Sequence, residues 1–299
     1  MASETTSATV MTSDPSLFER FRQVWARRET IRYLTSSNLK AGHRDKALGH
    51  LWNLLDPLMF MLVYFFVFGI LFKQAGNQRS VDYMLYLFIG LLPWNFISGT
   101  IQQSTMCIRG NRGLILEINF PKSVFPLSVA FARLYDYLWG IVILFVFLFA
   151  SGIWPTRHVV WLPLLILITL LFTMGVSMIM AYLGAFFADM SNIINVALRL
   201  MFYCSPIFYY IRDVTKTVVK DGKSVEVVTH HAMIKDPLYW KIYMSNPVAC
   251  LFECYRDILL WKRAPDTYLL SYAAAFAVVI FFIGFARFTR NEGKFAKYI

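Results

Sequence analysis

Long runs without a charged side chain constrain this chain more than any other feature of its sequence. Four such runs lie between Asp82 and Arg109, Asp136 and Arg157, Arg157 and Asp189, and Asp266 and Arg287. A helix of about 20 apolar residues is long enough to cross a bilayer. Soluble domains carry about a quarter charged residues, whereas only 16% of this chain is charged. The sequence therefore predicts an all-α membrane protein with several spans.

Six transmembrane helices are predicted from the apolar runs. Their ranges are 51–72, 83–107, 124–153, 159–187, 192–211 and 267–288. Pro93 lies inside the second span and Pro206 interrupts the fifth. Arg133 and Asp136, three positions apart in the third span, are spaced to pair near the interface.

The spans define the organisation of the chain. Residues 1–13 are Ser/Thr-rich and are predicted to form a disordered tail, residues 14–47 a cytoplasmic amphipathic helix with its linker, residues 48–290 the transmembrane domain, and residues 291–299 a cytoplasmic tail. No cleavable signal peptide is visible, so the first span is expected to act as the targeting signal.

The segment before the first span has the pattern of a basic amphipathic helix. Asp14 is the predicted N-cap and Pro15 the first helical residue. Apolar side chains from Leu17 to Ile31 recur at helical spacing between several arginines. Such a helix lies in the membrane interface or docks on a soluble partner, and the two alternatives are compatible.

The positive charge is distributed unevenly between the predicted loops. Lys and Arg are concentrated before the first span, in the loop between spans 2 and 3, and after the last span. Because such residues mark cytoplasmic loops, both termini are predicted to be cytoplasmic. The net charge of +11 therefore indicates orientation and contact with anionic lipid, not nucleic-acid binding.

The outer segment, residues 212–263, contains two further signals. Asp221-Gly222 between runs rich in β-branched residues is typical of a hairpin. Asn246-Pro247 opens an apolar run, residues 248–260, that is too short and too charged to span the bilayer. This run is predicted to form a short re-entrant helix beside the sixth span.

Motifs for catalysis or nucleotide binding are missing from the sequence. There is no G-x-x-x-x-G-K-[ST] loop, so the chain itself is not expected to bind ATP. No catalytic or metal-binding residue is assigned. The four cysteines are interpreted as packing residues, with a disulfide or metal role as the alternative, and His230-His231 as a solvated loop pair, with metal binding as the alternative. A membrane-embedded transferase would need a constellation of carboxylates or histidines in the bundle, and none is evident.

The loop between spans 2 and 3 has the character of a docking element. Leu114, Ile115 and Ile118 would form an apolar edge on a short helix, which is flanked by Arg109, Arg112 and Glu117; Asn111 belongs to the same candidate loop. Such a helix inserts into a groove on a partner. The alternative is an interfacial turn that arginines anchor.

Several short motifs occur in an order that a known family shares. They are Leu48-Gly49-His50-Leu51-Trp52, Asp56-Pro57-Leu58, Tyr64-Phe65-Phe66-Val67-Phe68-Gly69, Asn119-Phe120-Pro121-Lys122, Pro126-Leu127-Ser128, Ser205-Pro206-Ile207-Phe208-Tyr209, and Asn246-Pro247 with Tyr255-Arg256-Asp257. In these motifs the chain resembles the membrane subunit of ABC-2-type exporters of polysaccharides, which handle O-antigen, capsule and teichoic acid.

The resemblance implies a transport subunit of the bacterial cytoplasmic (inner) membrane. Two copies of the chain would form the pathway, with two separate ABC ATPase subunits binding ATP and Mg²⁺, and the chain would hold no cofactor of its own. The loop from Arg109 to Ile118 would couple ATP hydrolysis to the bundle, and the amphipathic helix would help to seat the ATPases. The expected cargo is a polyprenyl-(pyro)phosphate-linked polysaccharide; the alternative is a drug or another small lipid.

The substrate pathway is expected near the interruption of the fifth span. The candidates for sugar contact are Tyr203, Phe208, Tyr209 and Tyr210, since aromatic rings offer apolar faces; for each of them, packing in the bundle or in the interfacial belt is the alternative. Arg199 lies in an apolar stretch, where an ionisable residue indicates function. It is interpreted either as attracting the phosphate of the lipid carrier or as snorkelling to the interface.

Overall fold

The structure is a computed structural model, which describes residues 16–43, 55, 58–59, 62–63, 65–71, 80–117, 120–212, 214–220, 223–230 and 236–298. The predicted disordered tail, residues 1–13, and most of the first predicted span lie outside these residues. Within that span, a π-helix runs over Phe65–Leu71.

The described α-helices follow one another along the chain with few strands between them. They are α1 (Leu17–Ala26), α2 (Arg28–His43), α3 (Ser80–Gly110), α4 (Arg112–Glu117), α5 (Val124–Ala150), α6 (Leu162–Phe186), α7 (Met190–Tyr203), α8 (Pro237–Tyr243), α9 (Pro247–Leu259), α10 (Thr267–Asn291) and α11 (Phe295–Tyr298). Short 3₁₀ turns cover Arg157–Trp161 and Glu292–Lys294.

Four helical segments in the described ranges are long and apolar enough to cross a membrane. They are Val81–Gly110, Val124–Ala150, Arg157–Phe186 and Thr267–Lys294. These segments contain the second, third, fourth and sixth predicted spans with shifts of a few residues at their ends. Pro93 is accommodated inside α3 without ending it. The prediction of an all-α membrane fold is therefore confirmed.

The fifth predicted span is not a continuous helix. Its helix α7 has 14 residues and ends at Tyr203, and the chain then runs without helical structure to Ile211. Pro206 has no backbone N–H and disfavours helical geometry at the residue before it, which explains the break. At 1.5 Å per residue α7 is about 21 Å long, less than the roughly 30 Å of a bilayer core.

The N-terminal helix begins later than predicted, and it is divided. Ser16 is the N-cap: its side chain accepts a hydrogen bond from the Glu19 N–H, while the Glu19 carboxylate accepts one from the Ser16 N–H. The predicted start at Asp14 and Pro15 was therefore wrong. The helix breaks at Arg27, so that Val24 and Ile31 are buried in the bundle whereas Trp25 is 62% exposed.

The outer segment has the predicted hairpin and helix. Strands β1 (Val214–Lys220) and β2 (Lys223–His230) pair antiparallel, with Lys220 opposite Lys223. Asp221 and Gly222, which lie between them, are outside the described residues. Helix α9 is capped by Asn246, whose side chain accepts a hydrogen bond from the Val248 N–H at 3.0 Å. It is almost entirely buried, as expected for a re-entrant helix.

Glycines allow the long helices to cross backbone against backbone. A Cβ at Gly175 of α6 would lie 2.6 Å from the Ile280 carbonyl carbon, and one at Gly284 of α10 would overlap the Gly175 carbonyl oxygen. Gly184 has the same relation to the Thr105 carbonyl oxygen of α3. Small residues at such crossings let membrane helices approach closely, and here they lock α6 between α3 and α10.

A side chain at Gly284 should therefore destabilise the bundle. We expect Gly284→Val to lower the stability by about 1–3 kcal/mol or more, as overpacking does in a tightly filled core. The matched control is Gly293→Ala, because a Cβ at Gly293 would meet no other atom within 4 Å. Thermal unfolding in detergent measures both variants, and equal midpoints would contradict this account of the crossing.

Candidate functional site

A cleft of about 560 Å³ lies between α3 and α7. One part of its wall is polar and the other is apolar or aromatic. The polar side chains are Asn95, Ser98, Gln102, Asn195 and Arg199, and the others are Leu91, Trp94, Leu198, Phe202 and Tyr203. The cleft therefore offers both hydrogen-bonding groups and ring faces within helices that are otherwise apolar.

Two contacts fix how α7 lies along α3. The Gln102 side-chain amide donates to the Asn195 side-chain oxygen at 2.6 Å. Further along, the rings of Trp94 and Phe202 are 5.6 Å apart. Because residue numbers fall along α3 as they rise along α7, the two helices are antiparallel. Arg199, one turn beyond Asn195, lies level with about Ser98.

This register places Arg199 well inside the apolar part of α3. Twelve residues from Ser98 to Gly110 correspond to about 18 Å of helix. With 31 residues, α3 is about 46 Å long and exceeds a 30 Å core by about 8 Å at each end. For α3 centred on such a core and perpendicular to it, Arg199 would lie about 10 Å inside. Its side chain is exposed and faces the polar groups of the cleft.

The structure brings only part of the predicted pathway together. Arg199 and Tyr203 both line the cleft, and Tyr203 is 55% exposed. Phe208 and Tyr209 are half-buried beyond the end of α7, and Tyr210 is buried in the core. The other polar residues of the cleft were missed from the sequence. Asn95, Ser98 and Gln102 recur at helical spacing in an uncharged span, which is a signal that could have found them.

The chain beyond α7 is held by side chains that bind its carbonyl groups. The Tyr83 hydroxyl donates to the Phe208 carbonyl and the Tyr86 hydroxyl to the Tyr209 carbonyl, each at 2.6 Å. Arg256 of α9 donates to the Ile207 carbonyl at 3.0 Å. In a continuous helix, these three successive carbonyl groups would accept hydrogen bonds from later backbone N–H groups. Here they accept them from side chains of α3 and α9.

Arg256 is the centre of these contacts. It is fully buried, forms an ion pair with Glu253 at 3.0 Å, and lies 3.5 Å from the centre of the Tyr86 ring. Its neighbour Asp257 pairs with Arg263 at 2.6 Å. A buried charge persists only when it is paired and hydrogen-bonded, and Arg256 has an anion, a carbonyl and a ring face.

The predicted docking helix is present as α4. Its Ile115 side chain is buried, whereas Leu114 and Leu116 are 37% and 54% exposed. The apolar edge is thus formed by two leucines, and Ile118 lies outside the described residues.

The residues before α4 attach it to the bundle. Arg109 donates to the Ala185 carbonyl at 3.4 Å, and Asn111 to the Cys107 carbonyl at 2.7 Å. Arg112 is exposed at the first position of the helix. In the described part of the chain, no three His, Cys, Asp or Glu side chains are grouped to hold a metal ion.

Comparison with known proteins assigns the family. Residues 29–220 match the family model described as ABC-2 type transporter. The chain belongs to the ABC-2 type transporter family. The matched residues run from α2 to β1 and include both helices of the cleft, so the resemblance inferred from short motifs is confirmed.

Relatives within the ABC-2 family are similar over most of the chain. The O-antigen export system permease protein RfbA of Myxococcus xanthus is 28% identical over 278 residues, 93% of this chain and 98% of that protein. The protein of the same name from Klebsiella pneumoniae is 29% identical and covers 88% of this chain and 92% of its own length. The polysialic acid transport protein KpsM of Escherichia coli is 22% identical and covers 82% and 86%.

The carbonyl contacts beyond α7 give a prediction for this ABC-2 protein. Tyr86→Phe removes the hydroxyl that donates to the Tyr209 carbonyl. Because Tyr86 is buried, water does not take the place of this donor, and the stability should fall by about 1–3 kcal/mol. Tyr272→Phe is the matched control, since the Tyr272 hydroxyl also donates to a carbonyl, that of Ser245, but at an exposed position. Thermal unfolding should show the larger loss for Tyr86→Phe, and the reverse order would contradict the assignment.

Proposed function

We propose that the chain is the membrane-spanning permease subunit of an ATP-driven exporter of a polyprenyl-(pyro)phosphate-linked polysaccharide. The observation that carries the proposal is the similarity, over 93% of the chain, to a protein named for O-antigen export. A more distant relative named for polysialic acid transport also has a polysaccharide cargo. In an ATP-driven exporter of this family, a membrane subunit without a nucleotide-binding motif of its own would depend on a separate ATPase subunit.

The cleft between α3 and α7 is assigned to the substrate pathway. Arg199 would attract the phosphate of the lipid carrier, because a guanidinium group binds phosphate through paired hydrogen bonds. The rings of Trp94, Phe202 and Tyr203 would contact the CH faces of sugars. The amides of Asn95 and Gln102 would bind sugar hydroxyls or water. The glycan would then move along the cleft without being bound tightly at any one position.

A second copy of the chain is assigned to the open side of this cleft. Arg199 and Tyr203 are exposed at a depth where lipid would otherwise meet them, and a charge at a bilayer centre costs about 2.5–3.5 kcal/mol on insertion scales. A facing copy would enclose a hydrated pathway and remove that cost. Two ATPase subunits are the further partners, and they would bind ATP and Mg²⁺.

The end of the bundle that carries α1 and α4 is assigned to the cytoplasm. Its arginines and lysines follow the distribution expected for cytoplasmic loops. The exposed leucines of α4 would enter a groove on the ATPase, and α1 would lie along the inner surface of the cytoplasmic membrane. Closure of the ATPases would then move the bundle as a rigid-body switch.

The assignment of Arg199 is tested with the reconstituted complex. Arg199→Ala should raise the concentration of lipid-linked glycan for half-maximal stimulation of ATP hydrolysis by roughly tenfold or more, since a charge-assisted hydrogen bond contributes about 1.5–3 kcal/mol. Arg199→Lys should keep part of the response, because a point charge still attracts phosphate. Basal hydrolysis should stay unchanged.

Arg157→Ala is the control, since Arg157 is exposed in the turn before α6 and away from the cleft. An unchanged response of Arg199→Ala would leave Arg199 as an interfacial anchor. Stimulation of the unmodified complex by a small lipid or drug, and not by lipid-linked glycan, would replace the proposed cargo.

The role of α4 is tested by placing a charge on its apolar edge. Leu116→Asp and Leu114→Asp should lower glycan-stimulated ATP turnover several-fold, because a carboxylate in an apolar contact loses its hydration. Lys297→Glu is the control for a change of charge at the same end of the bundle. Normal turnover in both leucine variants would reduce α4 to a turn that arginines anchor.

A further inference from the structure

A distant carboxylate binds the turn before α5. Ser123, the residue before the helix, makes no side-chain capping bond. The Glu292 carboxylate accepts a hydrogen bond from the Lys122 N–H at 2.7 Å. The first helical N–H groups, those of Val124 and Phe125, donate to the carbonyls of Pro121 and Lys122. One carboxylate, 170 residues away in sequence, therefore fixes the turn from which α5 begins.

Glu292 also lies where two other elements meet. It follows the last residue of α10 directly. Lys122 and Arg20 both act on its carboxylate as nearby positive charges. Arg20 of α1 in turn donates to the carbonyl of Thr289 in α10. The start of α5, the end of α10 and the helix α1 thus converge on one side chain.

Aromatic packing behind Glu292 fixes this position. Phe295, three residues later, is fully buried. Its ring lies 5.1 Å from that of Phe288 in α10 and 5.8 Å from that of Phe186 in α6. Tyr298 continues the contact with Phe186 at 4.8 Å. The carboxylate is therefore presented by a rigid turn and not by a free tail.

The chain joins α4 to α3 through Asn111 and to α5 through the turn that Glu292 binds. Residues 118–121 alone separate α4 from Lys122. Ile115 of α4 and Phe125 of α5 belong to one buried cluster with Phe288 and Phe295. A force applied to α4 reaches α5 through the point that Glu292 holds.

We propose that Glu292 is a positioning residue that makes the start of α5, the end of α10 and α1 move together when α4 is displaced. The inference rests on the proposed role of α4 in coupling. Glu292 contacts neither nucleotide nor cargo in this assignment. Without its carboxylate, α4 would still meet the ATPase, but its displacement would be absorbed in the chain before α5.

The first measurement tests this hydrogen bond itself. Hydrogen exchange of a peptide that covers residues 120–127 is compared in the full complex between the unmodified chain and Glu292→Ala. Exchange at Lys122 should become roughly 5- to 30-fold faster, the factor expected from the loss of one buried hydrogen bond. Glu292→Gln keeps an acceptor oxygen and should change less. Unchanged exchange in both variants would overturn the proposal without touching the export function.

The second measurement separates positioning from structure. The number of glycans exported per ATP hydrolysed should fall several-fold in Glu292→Ala while ATP turnover continues, and Glu292→Gln should restore part of the ratio. Asn291→Ala is the matched control, because within the described ranges the Asn291 side chain makes hydrogen bonds only with its neighbours Arg287 and Lys294.

Two results contradict the positioning role. A constant ratio, with both rates lowered alike, would assign Glu292 to the stability of the fold, and so would failure of both variants to accumulate at the level of Asn291→Ala. Export by the unmodified complex reports separately on the proposed function, so the two conclusions fail independently.

Discussion

A backbone that leaves its helix in apolar surroundings must have its polar groups bound by other parts of the protein. The chain meets this requirement directly after α7, where Tyr83, Tyr86 and Arg256 bind three successive carbonyl groups. The glycine beside Arg256 on α3 leaves room for this guanidinium group: a Cβ at Gly90 would lie 2.9 Å from the Arg256 Nη2 atom. These contacts therefore tie the break in the fifth predicted span to the packing of α9 and to the surface of α3.

The position of the cleft follows from this arrangement. Since α7 ends at Tyr203 and the next residues are bound to α3 and α9, the far end of α7 is fixed relative to α3. Its near end is fixed by the hydrogen bond between Gln102 and Asn195. Arg199 and Tyr203 lie between these two points. Their height along α3 is thus set by hydrogen bonds at both ends, which places a guanidinium group and an aromatic ring at defined positions along this helix.

The sequence predicted the features that depend on local pattern and missed those that depend on distant partners. Four uncharged runs became long helices, Pro206 marked the break, and Asp-Gly marked the hairpin, because each signal acts on its own neighbours. The Ser16–Glu19 capping box was also local and was overlooked. Nothing local separates Tyr203, which lines the cleft, from buried Tyr210, since the chain between them has no helical period. The Ile207 carbonyl bound by Arg256 lies 49 residues away, and the Lys122 N–H bound by Glu292 lies 170 residues away; neither contact has a sequence signature.

The helices of the bundle contact one another in two different ways. At Gly175, Gly184 and Gly284 one backbone rests on another, and any sliding there would drive main-chain atoms into each other. Between α3 and α7 the contacts are made by side chains, a pair of amides and a pair of rings, which can change rotamer without moving a helix axis. The tightly interlocked helices α3, α6 and α10 thus form the rigid body of the protein. The cleft lies on its adjustable side, which suits the proposed passage of a polysaccharide with changing sugar units.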